Sequence, residues 1–303
     1  MLNLDVVIPT YQRGSLLLET IDYLQHQSAP ANKLIIVDQT EYTKDDPIAK
    51  KLDRLHKSNT IRWLRLEEAS IPNAMNRGLL ASSADYVLFL DDDIIPVDDL
   101  IEQHLKQIRP AEVVATVGQI LQPNQEPTTL TQDSYGKGFR ADFDFPFNAN
   151  KVRSIRNCMA GNLVVHRETA IACGGFDTNF IGVAYRFETE FCRRLLKFSS
   201  KLCLFVPNAR IHHLKAISGG TRSKVANFLT SAKPDHSVGD YYFVLLHAPG
   251  FSKPWYIAKR FFGAMVARYY LRHPWWIPVR LIGEFRGLLK AIHLHNRGPK
   301  LIC

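Results

Sequence analysis

Tyr86-Val87-Leu88-Phe89-Leu90-Asp91-Asp92-Asp93 is the stretch on which the fold turns. Five apolar residues without polar alternation read as a strand buried on both faces. Three consecutive acids then end it. Upstream, Leu4-Asp5-Val6-Val7-Ile8 closes on Pro9-Thr10, and Leu34–Val37 closes on Asp38. Between them, Ser15–Gln27 places Leu16, Leu17, Thr20, Ile21 and Leu24 at helical spacing. A polar helical stretch around Asp45–His56, a strand at Ile61–Leu66 and a helix over Pro72–Ser83 continue the pattern. Strands alternating with helices predict an α/β fold, a mostly parallel central sheet with helices on both faces. Such sheets bind ligands outside the carboxyl ends of their strands. Pro9-Thr10, Asp38 and Asp91–Asp93 all fall there.

Beyond Val113–Leu121 the pattern weakens. Gln122–Arg153, rich in Pro, Asn, Asp and Phe, is expected to be a long irregular segment over the site. Regular structure is expected again at Asn162–His166, in a helix near Phe187–Phe198 and in a strand at Leu202–Val206.

The 303 residues suffice for one large α/β domain with an appendage. Residues 1–236 are expected to form the catalytic domain, its halves divided near 121. Residues 237–303 are set apart by composition. From Phe251 onward there are ten Lys/Arg against one acid, Glu284, so the whole net charge of +9 resides there. Trp255, Trp275 and Trp276 lie in the same region. Pro274 and Pro278 predict two amphipathic helices, Lys253–Arg272 and Val279–Ile292. Trp and Arg on such helices suit the membrane surface, which implies a cytoplasmic protein peripheral to the inner face of the cell membrane. The alternative is a segment packed on the catalytic domain with a basic outer face. No nucleic-acid-binding motif is present, and no nucleic-acid partner is expected. The five cysteines contain no C-x-x-C pair and read as reduced thiols. Neither a signal peptide nor a transmembrane helix is expected.

Several chemistries lack their motif. There is no G-x-x-x-x-G-K-[ST], no G-x-G-x-x-G after the first strand, no H-E-x-x-H and no G-x-S-x-G. What remains is Asp91-Asp92-Asp93. Three adjacent carboxylates at a buried strand end repel one another, and a hard divalent ion relieves that repulsion. A helix N-cap favoured by the helix dipole is the other reading.

Six motifs decide between them: Asp5-Val6-Val7-Ile8-Pro9-Thr10-Tyr11-Gln12-Arg13, Val37-Asp38, Pro72-Asn73-Ala74-Met75-Asn76-Arg77-Gly78, Leu90-Asp91-Asp92-Asp93, Gly174-Gly175-Phe176-Asp177 and Glu188-Thr189-Glu190-Phe191. In this order, over about residues 3–220, the chain resembles family-2 glycosyltransferases of GT-A fold. The resemblance implies a nucleotide-sugar-binding half followed by an acceptor-binding half. It also implies inverting transfer from a nucleoside diphosphate sugar to a hydroxyl of a lipid-linked glycan or polysaccharide precursor. By the same analogy Pro9, Thr10, Tyr11 and Arg13 line the nucleotide. Asp38 reads the base, favouring UDP or dTDP over GDP, and Arg77 faces the nucleotide or the acids. Asp91 is the ribose-side acid and Asp93 the ligand of Mn²⁺ or Mg²⁺, with Asp92 between the two roles. His213 is a late metal ligand, and Ser218–Arg222 is a loop able to close over the diphosphate. The general base aligns with Glu188, with Glu190 the second candidate. The chain departs from the family at Phe187, where the first acid of the usual pair stands. A non-catalytic sugar-nucleotide-binding subunit and a nucleotidyltransferase are the competing readings.

Overall fold

The computed structural model describes residues 2–132, 135–216, 218–221, 227, 229–263 and 265–302. The expected alternation is present. Strand β1 (Leu4–Thr10) leads to helix α1 (Ser15–Gln25), β2 (Leu34–Asp38) to α2 (Pro47–Lys57), and β3 (Arg62–Arg65) to α3 (Ile71–Ala81). Strand β4 (Tyr86–Leu90) delivers the three acids and is followed by β5 (Ile94–Pro96), α4 (Leu100–Gln107) and β6 (Val113–Leu121). Then come β7 (Arg153–Ile155), β8 (Asn162–His166), α5 (Arg167–Ala172), α6 (Phe187–Ser199) and β9 (Leu202–His213).

All nine strands form one sheet in the order β3-β2-β1-β4-β8-β6-β9, with β5 and β7 both paired to β9. Strands β3, β2, β1, β4, β6 and β9 run in one direction, while β8, β5 and β7 oppose them. Because successive side chains point to opposite faces, Val7, Ile35, Val87 and Phe89 meet Ala74, Met75 and Leu79 of α3. Val6, Ile8, Ile36, Leu88 and Leu90 meet α1 and α4 on the other face. Both faces are covered, which is why the strand sequences are unbroken apolar runs. Helix α3 lies close against β1: a Cβ on Gly78 would sit 2.2 Å from Val7 Cγ1.

Strand β9 is longer than the expected Leu202–Val206. It continues through Pro207 because its register with β6 jumps, Gly118 opposing Val206 but Gln119 opposing Arg210. This irregularity accommodates a residue without an N–H and carries His212 and His213 to the carboxyl edge of the sheet. Gly118 lies at the jump, where a Cβ would come within 2.1 Å of the Ala209 carbonyl.

The C-terminal region forms α7 (Val238–His247), α8 (Ser252–Gly263), α9 (Arg268–Arg272) and α10 (Ile277–Arg297). The single helix expected over Lys253–Arg272 is two, the first ending at Gly263, a poor helix former. The region shares the core with the sheet: Tyr241, Tyr242, Phe243, Ala291 and Leu294 join the same apolar cluster as Val7 and Phe89. At its end the Ile302 N–H donates to the Gly174 carbonyl (2.9 Å), and the Lys300 N–H donates to Asp177 (2.9 Å). The Gln122–Arg153 segment also departs from expectation. Among its described residues only Gln122 lines the cavity beside the acids. Phe143 instead packs on Phe243 (5.4 Å between centroids), Phe145 on Phe205 (5.0 Å) and Phe139 on Tyr256 (5.7 Å). Its aromatic content drew it into the core.

Candidate active site

The carboxyl ends of β1, β4 and β9 and the first turn of α6 surround a cavity of about 510 Å³. Pro9, Thr10, Tyr11 and Arg13 line one wall and Asp91, Asp92 and Asp93 the floor. His213 closes one side and Glu188 faces the acids from another. Residues from four of the six motifs thus converge.

The floor is electrostatically tense. Asp93 is fully buried, and its Oδ2 accepts the Ala216 N–H (2.9 Å) with Arg13 Nη2 at 3.4 Å. His213 Nε2 lies 3.2 Å from Asp93 Oδ1 and 3.8 Å from Asp91 Oδ2. Burial opposes ionisation of Asp93. Its bonds to His213 and the Ala216 N–H, with the charges of His213 and Arg13, outweigh burial and hold its pKa below the usual carboxylate value. The hydrogen bond to Asp93 in turn raises that of His213, against its burial. Asp92 goes the other way. Burial, with repulsion from Asp93 and Asp91, pushes it up to about 7 despite Arg13, whose Nε donates to it at 2.8 Å.

Arg13 also donates to the carbonyls of Ser218 (2.9 Å) and Ala216 (3.4 Å), and the Gly220 N–H donates to the Tyr11 carbonyl (2.6 Å). The strap after β9 is therefore tied across the acids by an arginine. Gly219 and Gly220 allow this approach, since a Cβ on Gly219 would sit 2.2 Å from the Gln12 carbonyl. Arg222, expected in this loop, lies outside the described residues.

The donors suit a hard divalent ion. Among the described residues the buried Asp93 Oδ1 has no donor other than the His213 ring nitrogen at 3.2 Å. Gln122 Oε1 lies 3.0 Å from His213 Nδ1, so it orients the ring with Nε2 toward that oxygen. No complete cage of three His, Cys, Asp or Glu side chains exists among the described residues. Mg²⁺ and Mn²⁺ are usually completed by phosphate oxygens and water.

The two glutamates of α6 separate. Glu188 lines the cavity, and its Oε1 accepts the Ala160 N–H at 2.8 Å. Glu190 is buried away from it and clamped by Arg194 through two bonds of 2.9 and 2.7 Å. Phe187 is a buried part of the cavity wall, packed on Phe176.

Two expected residues stand elsewhere. Asp38 is fully buried and does not line the cavity; its oxygens accept the Thr40 N–H (2.9 Å) and the Trp63 indole N–H (3.0 Å). Its neighbour Gln39 reaches the cavity instead. Arg77 is exposed on the outer side of α3, because Asn76 takes the inner position of the same motif. Asn76 donates to the Phe176 carbonyl and accepts the Phe176 N–H, both at 2.7 Å. It ties α3 to the Gly174–Asp177 turn. Its sign in the sequence is a polar residue in helical register with Pro72 and Leu79. Gly161 carries no such sign, yet a Cβ there would lie 2.2 Å from Asp91 Oδ2.

A sheet of this order, with acids at the end of a central strand and a glutamate on the facing wall, defines the GT-A class of fold. The chain belongs to glycosyl transferase family 2, whose model matches residues 5–176. It is 23% identical over 116 residues to glycosyltransferase GlyG of Streptococcus pneumoniae serotype 4, a match spanning 38% of each chain. Among solved structures it resembles GalNAc-T7 with UDP, GalNAc and Mn²⁺ (TM-score 0.59, 13% identity, 89% of this chain and 57% of that one). It also resembles the mannosyltransferase PcManGT of Pyrobaculum calidifontis with GDP-Man and Mn²⁺ (0.54, 15%, 99% and 76%) and S. aureus TarS (0.57, 10%, 88% and 44%). At these identities the likeness is one of fold.

Proposed function

We propose that this chain transfers a sugar from a nucleoside diphosphate sugar to an acceptor hydroxyl, with inversion at the anomeric carbon. The observation that carries this is Glu188, alone of the two α6 glutamates, facing Asp91–Asp93 across one cavity. Glu188 takes the acceptor proton, with the Ala160 N–H fixing one of its oxygens. A carboxylate so placed contributes about 10²- to 10⁴-fold in rate. Asp91 and Gln39 position the nucleoside, and Arg13 moves from the acids to the phosphates as the donor enters. Asp93 and His213 would hold Mn²⁺ or Mg²⁺, which supplies charge neutralisation for the departing diphosphate. The donor is read as a UDP or dTDP sugar, with GDP the alternative, and the acceptor as a glycan or lipid-linked precursor. Calorimetry with UDP, dTDP and GDP, each with and without Mn²⁺, tests this. Binding of one nucleotide that strengthens with Mn²⁺ is the expected result; nucleotide binding indifferent to metal would sink the metal assignment.

The same reading places the chain on an anionic membrane surface. No helix among the described residues is long and apolar enough to cross a bilayer. Phe251 is fully exposed, and Trp255, Leu271 and Trp275 are each 64–70% exposed among the basic residues of α8–α10. Aromatic and basic groups presented together suit an interface.

A further inference from the structure

The far end of the sheet holds a second cavity. Strand β9 brings His213 to the acids with its last residue. Its first residues, Leu202 and Cys203, line a separate cavity of about 890 Å³. An extended strand of that length spans roughly 30 Å, so the two cavities lie at opposite edges of the sheet.

The second cavity is strongly basic. Arg156 at the end of β7, Arg193, Arg194 and Lys197 along α6, and Lys201 in the turn before β9 all line it. Among the described residues Glu190 is the only carboxylate lining it, and Arg194 holds both of its oxygens. Five cations against one acid leave a local charge of +4. Among the described residues Arg156, Arg193, Lys197 and Lys201 have no carboxylate within ion-pair distance. Arg193 Nη2 donates to the carbonyls of Phe139 and Ala141, and its Nε and Nη1 are buried without an acceptor among the described residues. Burial, aided by the nearby Arg156 and Arg186, presses its pKa down against the opposing pull of Cys192 and Asp142. None of these residues serves the transfer site.

We infer that this cavity binds a phosphate group. Guanidinium forks match phosphate oxygens two at a time, and a phosphomonoester carries up to two negative charges against the four positive ones that have no ion-pair partner among the described residues. A carboxylate would leave most of them unmet. The rim indicates how the phosphate is presented. Leu202 of the wall is about half exposed, and exposed Phe198 and Phe251 lie within two positions in the chain of the wall residues Lys197 and Pro249. Apolar groups around a phosphate pocket suit a lipid phosphate; a free phosphate is the other source of the same chemistry.

Titration calorimetry in metal-free, EDTA-containing buffer tests this with inorganic phosphate and with soluble dihexanoyl phosphatidic acid. Both are expected to saturate one site, and Arg156→Glu with Lys197→Glu is expected to weaken both at least tenfold. Arg156→Gln with Lys197→Gln serves if the first pair does not fold. Lipid binding at least tenfold tighter than phosphate identifies a lipid as the source; equal affinities identify a free phosphate, and either supports the site. No saturable binding of either probe, or binding undiminished in the double variants, overturns it. UDP affinity with Mn²⁺, measured on the same proteins, is expected to stay within twofold. Loss of the donor-site reading and loss of this one are therefore separable.

Discussion

Glu188 and Glu190 are two residues apart in one helix, yet a single contact gives them different chemistry. Arg194, one turn beyond Glu190, neutralises it and holds its pKa below the usual value despite burial. Glu188 is left toward the acids. Glu188→Gln is expected to lower kcat by about 10²- to 10⁴-fold while nucleotide affinity stays unchanged. Glu190→Gln should instead lower the melting temperature, because the half-buried Arg194 loses its carboxylate partner. Equal activity loss in both variants, with no loss of stability in Glu190→Gln, would remove the distinction. Gly161 yields a second prediction. Its added methyl would displace the Asp91 carboxylate, so Gly161→Ala should weaken UDP binding by roughly 10- to 100-fold, the equivalent of one charge-assisted hydrogen bond. A titration of the folded variant that matches wild type refutes it. The motifs made the acids, the Pro9–Arg13 wall and Glu188 legible in the sequence. They did not reveal that Asp38 and Arg77 stand outside the cavity, because which neighbour in a motif turns inward depends on what packs against it.

At the level of elements, β6, β8 and β9 are joined by a buried polar unit as well as by their ladders. Asn162 of β8 donates to the Ala209 carbonyl (2.8 Å) and receives His104 Nε2 from α4 (2.9 Å), while His104 Nδ1 meets Thr116 of β6 (2.8 Å). Burial lowers the His104 pKa to about 4. The unfolded chain takes up this proton near pH 6.5, the folded chain only near 4. The stabilising contribution is therefore complete above pH 6.5 and lost as pH falls toward 4. The shift corresponds to at most about 3 kcal/mol. Urea unfolding of the wild type and His104→Gln at pH 7 and 4.5 measures it: the wild type should lose stability over this range by more than the variant. Parallel losses would show that other groups govern the acid sensitivity. This element was half legible. The run Leu202–Val206 announced a strand, but Pro207 concealed its continuation, because the register jump against Gly118 depends on a partner strand more than eighty residues away.

At the scale of the whole molecule, the basic C-terminal region is both packed and exposed. Glu284, the only acid from Phe251 onward, is fully buried between Arg260 (3.2 Å) and Arg280, and Arg260 also pairs with Asp240 of α7 at 2.6 Å. Glu284→Gln leaves Arg280 without this counter-charge and Arg260 with Asp240 alone, and is expected to cost about 3–5 kcal/mol, read as a fall in melting temperature. An unchanged melting curve would mean the cluster is solvated. Deleting residues 251–303 would strip this cluster together with Ala291 and Leu294 from the shared core. A sharper membrane test is Trp255→Ala with Trp275→Ala, both exposed. The double variant should sediment less with anionic liposomes at unchanged stability; equal sedimentation of both proteins argues against the aromatic face.

The amino-acid sequence by itself determined the element types of the first half, the ends of the strands where ligands gather, and the acidic floor. These follow from local periodicity and from the solvation of adjacent charges. Tertiary structure alone decided the inward residue within each motif, the reach of β9 to His213, the clamp that separates the two glutamates and the basic cavity behind them. Those depend on side chains that meet across the sheet from distant parts of the chain, and no local pattern records such meetings.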